Sequence, residues 1–296
     1  MADLPPDHTA RMTRASLALD GLSVGDAFGG QFFKPPDQLR HLPPGPWPYS
    51  DDTEMALSVI SILDRHGRID SKELAISFTK RYQADPYRGY GLTLRRVLED
   101  IAENIPWEEA ARRVYGGTGS MGNGGAMRVA PIGAYFAEDL AVVIEQARLS
   151  ASVTHAHPEG QAGAIAVAVA AAWASRKSTS SRNGLDMLES VFEHTPAGET
   201  RSGIERAMSL GFGVSIEAAV AVLGNGSRIT APDTVPFALW CAASCLDDYA
   251  EAQWASAAAG GDNDTNGAIV GGIVALANGP DSIPESWLTS RESLKL

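Results

Sequence analysis

The sequence predicts an all-α fold, and three observations support that prediction. Apolar residues recur at helical spacing through most of the chain, alternating strand patterns are scarce, and no convincing hairpin signal joins two such runs. Alanine is abundant in the central and C-terminal segments, which favours helices packed at short distance. At the usual length of about 11 residues per helix, we expect roughly a dozen helices. They would form one compact, single-domain orthogonal bundle over residues 1–296.

Three segments carry the clearest helical periodicity. Their apolar stripes comprise Met55, Val59, Ile62 and Leu63, then Leu74, Phe78 and Tyr82, and finally Ile269, Ile273 and Leu276. The longest apolar run, "GAIAVAVAAAWA" at 163–174, is too short to cross a bilayer. We therefore expect that run to be a buried helix.

Charge and cysteine usage limit the possible functions. The net charge of −12 and the pI of about 4.9 argue against a general nucleic-acid or anionic-membrane surface. The two cysteines, Cys241 and Cys245, are expected to be small core residues and suit a reducing compartment. The N-terminus lacks the apolar core of a signal peptide. We expect a cytoplasmic protein with no nucleic-acid or membrane partner.

The segment "GGDNDTNG" at 260–267 places two carboxylates in a glycine-rich stretch directly before an apolar run. It matches the first half of an EF-hand loop, but the twelfth position counted from Asp262 is Ile273, where calcium needs a bidentate glutamate. Two interpretations remain from this segment alone. Asp and Thr cap helix N-termini, and hard oxygen ligands can also form half of a metal site.

A second acidic cluster, "YSDDTEM" at 49–55, also precedes an apolar helix. Capping needs one side-chain oxygen, whereas Ser50, Asp51, Asp52 and Thr53 offer several. Adjacent carboxylates raise each other's pKa unless a cation or a donor neutralises them. Two such clusters could converge on Mg²⁺, which prefers oxygen ligands and keeps waters that substrate can replace.

The segment "GGTGSMGNGGAMR" at 116–128 is rich in glycine, so backbone amides could approach a diphosphate closely. It is not a Walker loop, because no Lys-Ser/Thr pair follows the glycines. A surface loop is the competing interpretation. In "THAHPEG", His155 and His157 lack a third nearby ligand for zinc, so hydrogen bonding or packing is the expected role.

The ordered set of "GDAFGG", "SDDTEM", "DPYRGYG", "GSMGNGGAMR", "ARLSASVTHA" and "GGDNDTNGAI" resembles the ADP-ribosylglycohydrolase family over about residues 14–277. The similarity is strongest to the branch that removes ADP-ribose from serine and trims poly(ADP-ribose). The resemblance implies an all-α bundle with two central Mg²⁺ ions, for which Mn²⁺ is a possible substitute. It also implies an ADP-ribosylated protein, or an ADP-ribose-containing small molecule, as the partner.

The resemblance also assigns residues. It implies metal ligation by Ser50, Asp51, Asp52, Asp262, Asp264 and Thr265, with the four aspartates as the catalytic residues. It implies substrate binding by Gly89, Tyr90, Gly91, Tyr115, Ser120, Met121, Gly122, Asn123 and His155. Ser120 to Asn123 would hold the diphosphate, His155 would face the nucleotide, and Tyr115 would lie beside adenine. Met121 stands where the branch has a tyrosine.

A second departure from the family pattern matters more. Phe33 stands where active members of the branch place a glutamate, and phenylalanine can neither coordinate a cation nor move a proton. We expect Phe33 to contact substrate from a long loop, residues 29–50, that covers the site. The alternative is that Phe32 and Phe33 are buried in the core.

Three functions follow as hypotheses. The leading one is magnesium-dependent hydrolysis of the bond between ADP-ribose and a protein side chain, with a serine linkage favoured and Asp262 or Asp264 steering the water. The alternatives are a relative that binds ADP-ribose without turnover, and a metallohydrolase of a small ADP-ribosyl metabolite. Two features distinguish the first alternative from the leading hypothesis. Phe33 in place of a glutamate favours binding without turnover, whereas the six retained metal-ligand residue types favour hydrolysis.

Overall fold

The computed structural model describes residues 4–33, 42–176 and 183–295, and these residues confirm the all-α prediction. They form fifteen α-helices and no strand. The helices are α1 His8–Gly29, α2 Asp51–His66, α3 Ser71–Ala84, α4 Leu92–Ala102, α5 Trp107–Arg113, α6 Ala130–Tyr135, α7 Leu140–Ser152, α8 Pro158–Ser175, α9 Gly184–His194, α10 Glu199–Leu210, α11 Ile216–Leu223, α12 Ala231–Ser244, α13 Tyr249–Ala258, α14 Asn263–Asn278 and α15 Glu285–Ser290. Short 3₁₀ helices cover Gly30–Phe32, Val114–Gly117, Asn123–Gly125 and Pro280–Ser282.

The apolar run at 163–174 lies within α8, which crosses the centre of the bundle, as predicted. Nearly every residue of α8 after Gln161 is buried, on all faces, because α6, α7, α9, α12 and α14 pack around it. A helix that is apolar all round has to be enclosed in this way. His157 precedes α8, and its Nδ1 accepts a 3.1 Å hydrogen bond from the amide of Glu159, so this histidine is a helix cap.

The pairing of α1 with α14 is the most extensive helix contact among the described residues, and glycine makes it possible. A Cβ atom added at Gly25 would overlap the carbonyl oxygen of Gly267, and one added at Gly21 would overlap that of Gly271. A Cβ at Gly29 would meet the backbone of Asn263 at the start of α14. Only backbones without side chains can approach this closely. The C-terminal half of α1 therefore lies directly against the N-terminus of α14.

The start of α2 is held against α1 by one carboxylate. Asp26 of α1 accepts hydrogen bonds from the amides of Ser50, at 3.0 Å, and Thr53, at 3.1 Å. It also accepts a 2.5 Å bond from the Thr53 hydroxyl. The amide of Asp51 donates to the carbonyl of Arg88 at 2.7 Å, which brings the segment between α3 and α4 to the same place. The N-termini of α2 and α14 thus meet on the side of α1.

Other predictions from the sequence are settled by burial. The apolar stripes of α2, α3 and α14 are buried. Both cysteines are free thiols; Cys241 is buried and Cys245 is partly buried. Within the described residues, no helix is long and apolar enough to cross a membrane.

The loop expected over 29–50 does not begin where the sequence predicted. Gly29 is the last residue of α1, and residues 30–32 continue as a 3₁₀ helix, because the backbone packs along the start of α14. Residues 34–41 of that expected loop, and residues 177–182, lie outside the described residues.

Candidate active site

Five aspartates meet where α1, α2 and α14 come together. Four of them were predicted: Asp51 and Asp52 at the start of α2, and Asp262 and Asp264 at the start of α14. The fifth is Asp26 of α1. Asp26, Asp51 and Asp52 are buried, whereas Asp262 and Asp264 are partly exposed. The two acidic segments that lie about 210 residues apart in the sequence are therefore neighbours in space.

Burial raises the pKa of all five carboxylates, and repulsion from other members of the cluster adds to it at Asp51, Asp52 and Asp264. Burial first, and the charge of Asp26 second, raise the pKa of Asp51 to about 8. The pKa of Asp52 is raised well above its ordinary value by burial and then by Asp264. Burial raises the pKa of Asp26 to about 6, against hydrogen bonds that lower it. Burial also raises the pKa of Asp262 and, together with the charge of Asp262, that of Asp264. A cluster of this kind needs protons or a cation.

Helix capping does not explain the carboxylates of α2. The hydroxyl of Ser50 accepts from the amide of Asp52 at 3.2 Å, and Asp26 accepts from the amides of Ser50 and Thr53. These contacts already satisfy the free amides of the first turn. The carboxylates of Asp51 and Asp52 therefore remain for another purpose.

The capping interpretation is also wrong for the side chain of Asp262. Asp262 occupies the N-cap position of α14, but its carboxylate accepts no capping hydrogen bond. Its Oδ2 atom instead accepts a 2.6 Å hydrogen bond from the side-chain amide of Asn123. That contact directs the carboxylate of Asp262 towards the glycine-rich segment.

The donor set can be tested for a cation. The Oδ1 atom of Asp52 is buried and has no hydrogen-bond partner among the described residues, and its Oδ2 atom accepts from the Ser50 hydroxyl at 3.0 Å. All five carboxylates and the hydroxyls of Ser50 and Thr265 are hard oxygen donors. However, no three His, Cys, Asp or Glu side chains in the described parts of the chain form a group that could hold a metal ion. A cation here would need hydroxyls and water besides carboxylates, which is how magnesium is usually bound.

The glycine-rich segment lies beside the acidic cluster. Ser120 and Asn123 are buried, and the Ser120 hydroxyl accepts from the amide of Gly122 at 3.1 Å. His155 packs under the segment: a Cβ at Gly122 would lie 3.1 Å from its Nε2 atom. Ser120, Gly122, Asn123 and His155 therefore form one wall, which the hydrogen bond from Asn123 joins to Asp262.

The other predicted substrate-binding residues are more dispersed. Gly89 adjoins the cluster, since a Cβ there would lie 3.2 Å from Oδ1 of Asp51. Tyr90 is buried, and its hydroxyl has no partner among the described residues. Gly91 caps α4. Tyr115 is 64% exposed, and its hydroxyl pairs with that of Thr93 at 2.8 Å.

Phe33 is exposed, so the alternative that it is buried in the core is wrong, whereas its contact with substrate stays a prediction. It is 58% exposed, whereas the neighbouring Phe32 is partly buried, with its ring 4.9 Å from that of Phe28 and 5.5 Å from that of Trp254. The carbonyl of Phe32 accepts a 3.1 Å hydrogen bond from the side chain of Asn263. Phe33 thus follows a residue that is bonded to Asn263, the neighbour of Asp262 and Asp264 in the sequence.

Met121 is the residue of the glycine-rich segment that borders a large cavity. Its carbonyl accepts from the amide of Ala231 at 2.9 Å, and Gly122 forms a β-bridge with Thr230. A cavity of about 1030 Å³ lies beyond this bridge, between α10, α11 and the start of α12. Met121, Asn225 and Thr230 contribute to its wall, whereas none of the five aspartates does. The cavity adjoins the candidate site without containing the acidic cluster.

Sequence reasoning did not assign roles to three buried residues of the site. Asp26 belongs to "GDAFGG". In that motif Gly25 and Gly29 are four residues apart, and this spacing could have indicated a helix face that packs closely against another helix. Arg128 ends "GSMGNGGAMR" and Thr154 precedes His155; both are buried and bond to each other. Their partners come from distant helices, so spacing alone does not reveal the contacts.

Comparison with known proteins agrees with this architecture. The sequence model of the family described as ADP-ribosylglycohydrolase matches residues 7–295. The chain is 34% identical over 273 residues to the human "ADP-ribosylhydrolase ARH3", covering 82% of this chain and 74% of that protein. It is 32% identical over 326 residues to the zebrafish (Danio rerio) protein of the same name, covering 96% and 87%.

A solved structure titled "ADP-ribosylglycohydrolase-related protein complex" superposes with a TM-score of 0.67 at 25% sequence identity. The similarity covers 96% of this chain and 94% of that one. The extent of these matches, together with the helical architecture, shows that this chain belongs to the ADP-ribosylglycohydrolase family.

Proposed function

We propose that this protein is a magnesium-dependent hydrolase of the glycosidic bond between ADP-ribose and a protein side chain. One observation carries the proposal. The carboxylates of Asp51 and Asp52 meet those of Asp262 and Asp264 in a buried cluster, and Asn123 connects that cluster to the glycine-rich segment. Hard oxygen donors beside a segment suited to diphosphate match the distal ribose hydroxyls and the adjoining diphosphate of an ADP-ribose substrate.

Magnesium fits the donor set, and Mn²⁺ is the expected substitute. Ser50, Asp51 and Asp52 would hold one ion, and Asp262, Asp264 and Thr265 the other. When bound, such ions polarise ligand oxygens and lower the pKa of coordinated water. Neutralisation of the repulsion among the aspartates would also release their carboxylates from the protonated state that burial favours.

The residues of the chain supply the remaining chemistry. Asp262 is held in place by the hydrogen bond from Asn123. When bound cations keep the aspartates ionised, a carboxylate directed in this way can accept a proton from water. We assign Asp262 or Asp264 to orient the attacking water and take its proton. The water oxygen bonds to C1″ of the ribose, the C1″–O bond breaks, and the departing serine oxygen takes up a proton from solvent water, to which the aspartate later returns its own.

The glycine-rich segment would bind the diphosphate. Gly122 and Gly124 leave room for backbone and ligand to approach, and His155 lies directly behind them. The serine linkage is favoured because "RGYG" and "GSMGNGGAMR" are most similar to the serine-directed branch. Gly89 of the first motif adjoins Asp51, so both motifs border the acidic cluster.

The decisive experiment incubates the protein with serine- and arginine-ADP-ribosylated peptides, with magnesium or with chelator, and follows release by mass spectrometry. We expect release from the serine-linked peptide that needs magnesium and is lost in Asp262→Asn. Magnesium-independent release, or none from either peptide, would contradict the proposal. Free ADP-ribosyl metabolites form a third arm, and turnover confined to that arm would favour a small-molecule hydrolase.

A second candidate function is binding of ADP-ribose without turnover. The observation that favours it is Phe33, exposed beside the anchored carbonyl of Phe32 at the position where the family places a glutamate. Calorimetry distinguishes the two. Tight, magnesium-dependent ADP-ribose binding with no release from any peptide would support the binding function.

A further inference from the structure

Arg128 is a completely buried cation whose hydrogen bonds go to uncharged groups. Its guanidinium donates to the carbonyls of Gly124, at 3.0 Å, and Ser150, at 2.7 Å, and lies 4.5 Å over the ring of Phe78. It also donates to the hydroxyl oxygen of Thr154 at 3.0 Å. Among the described residues, it forms no ion pair with a carboxylate. A buried charge placed in this way indicates a specific role for the donors.

The contact with Thr154 determines how that hydroxyl is used. A guanidinium has only donors, so the oxygen of Thr154 must accept from Arg128. Thr154 is 1% exposed, and its own proton therefore needs an acceptor. Nδ1 of His155, at 2.8 Å, is the acceptor that the described residues offer it.

This arrangement defines the tautomer of His155. If Nδ1 accepts the proton of Thr154, a neutral imidazole carries its own proton on Nε2. The opposite tautomer would direct both Arg128 and Nδ1–H at one oxygen and leave the buried Thr154 proton unpaired, which is costly. Burial, and then the charge of Arg128, lower the pKa of His155 to about 3, so the ring is neutral near physiological pH.

The protonated nitrogen faces the glycine-rich segment. A Cβ atom at Gly122 would lie 3.1 Å from Nε2, and one at Gly124 would lie 3.3 Å from it. Nε2 has no hydrogen-bond partner in the described parts of the chain, whereas Nδ1 does. Arg128 also donates to the carbonyl of Gly124. The same guanidinium therefore contacts the glycine-rich segment directly and His155 through the hydroxyl of Thr154.

We propose that Arg128 and Thr154 are positioning residues that lock His155 as a neutral hydrogen-bond donor through Nε2. The donor is directed at an acceptor oxygen of the ligand that lies on the glycine-rich segment. The identity of that ligand as ADP-ribose, with a phosphate oxygen as the acceptor, rests on the proposed function. The tautomer itself does not. In this arrangement His155 transfers no proton during the reaction.

The test reads the tautomer directly, by long-range ¹H–¹⁵N correlation spectra of the full-length protein labelled at histidine nitrogens. The chain has six histidines, and the spectrum of His155→Asn identifies the signals of His155 by their loss. We expect an unprotonated Nδ1 and a protonated Nε2 in the wild type. A protonated Nδ1 would overturn the proposal whatever the behaviour of the variants.

Two variants of Thr154 distinguish a role of its hydroxyl in setting the tautomer of His155 from a role of its side chain in packing alone. Thr154→Val keeps the shape and removes the hydroxyl, so we expect the tautomer preference to weaken and ADP-ribose to bind at least about 10-fold more weakly. Thr154→Ser keeps the hydroxyl and should restore both. If valine leaves the tautomer unchanged, Thr154 does not set it and the proposal is wrong. If Thr154→Val does not fold, the spectra of the wild type and of Thr154→Ser test the proposal, and a protonated Nδ1 in either protein would overturn it.

Addition of ADP-ribose to the wild type then separates this proposal from the proposed function. We expect the Nε2–H signal to shift while Nδ1 stays unprotonated. Protonation of Nδ1 on binding would contradict the neutral donor. Absence of any ADP-ribose binding would contradict the proposed function and leave the tautomer assignment intact.

Discussion

The side-chain amide of Asn123 donates a 2.6 Å hydrogen bond to Oδ2 of Asp262, and this bond joins the glycine-rich segment to the acidic start of α14. The same nitrogen donates to the hydroxyl of Thr234 at 3.0 Å. Asn123 is buried, so both acceptors are held in a fixed direction. The glycine-rich segment and the acidic cluster are therefore connected by one side chain.

Asn123→Leu should lower kcat/KM for ADP-ribosylated peptide by about 10- to 100-fold. A hydrogen bond to a charged group contributes about 1.5–3 kcal/mol, and leucine has a similar volume without the donor. Steady-state kinetics measure the loss. Thr234→Val is the matched control, because it removes the second acceptor and leaves the bond to Asp262. A loss of the same size in Thr234→Val would contradict a specific role for the Asp262 contact.

Magnesium should stabilise the fold, and the gain should be larger at high pH. The folded state raises the pKa of Asp51 from 3.8 to about 8, so protonation of this group stabilises the fold fully below 3.8 and progressively less as the pH rises through 8. Without metal, Tm should fall between about pH 6 and about pH 9. Magnesium binds the ionised carboxylates and should reverse that fall.

Thermal melts of three proteins test this prediction. Asp51→Asn should show a smaller fall in Tm between the two pH values than the wild type does. Asp247→Asn, at an exposed aspartate outside the cluster, should behave as the wild type. Identical melting curves with magnesium and with chelator would remove the metal hypothesis.

Gly25→Ala should destabilise the protein, because the added methyl group would overlap the carbonyl of Gly267. Overpacking of this kind costs about 1–3 kcal/mol of unfolding free energy. Gly30→Ala is the control from the same "GDAFGG" motif, since Gly30 has helical dihedrals and open space around its Cβ position. Denaturant unfolding compares the two, and equal midpoints would show that α1 and α14 can separate without loss.

Phe33→Ala should change the unfolding free energy by less than about 0.5 kcal/mol, as is usual for exposed positions. Phe32→Ala should cost clearly more, because the ring of Phe32 packs against Phe28 and Trp254. Phe33→Glu should raise release of serine-linked ADP-ribose if a carboxylate at this position assists the reaction. Unchanged activity in a folded Phe33→Glu protein would show that the phenylalanine is not what limits turnover.

Gly122→Val should weaken ADP-ribose binding and leave the helical circular-dichroism spectrum unchanged. The new side chain would begin 3.1 Å from both Nε2 of His155 and the hydroxyl of Ser120, in the space where backbone and ligand have to meet. Calorimetry measures the affinity. Gly213→Val, at a glycine with no atom near its Cβ position, is the control. If Gly122→Val and Gly213→Val bind ADP-ribose with equal affinity, the glycine-rich segment is a surface loop with no role in binding the diphosphate.

The sequence alone determined the elements of this protein and much of its chemistry. The 3.6-residue spacing of Met55, Val59, Ile62 and Leu63 predicts α2 because a helix needs a continuous apolar face, and those residues are buried in the structure. The two acidic segments could be recognised because carboxylates directly before an apolar helix exceed what capping requires. The family followed from motifs in order along the chain. Each of these features is local, so it can be recognised from a short stretch of sequence.

Tertiary structure alone decided which of those residues meet and in what state. Asp26 joins the acidic cluster only because glycines let α1 approach α14, and Asn123 reaches Asp262 across 139 positions of sequence. Phe33 is exposed while Phe32 packs, a distinction that two identical side chains cannot carry in sequence. The neutral state of His155 depends on burial and on Arg128. Desolvation and charge interactions are set by distances in space, and separation along the chain does not determine those distances.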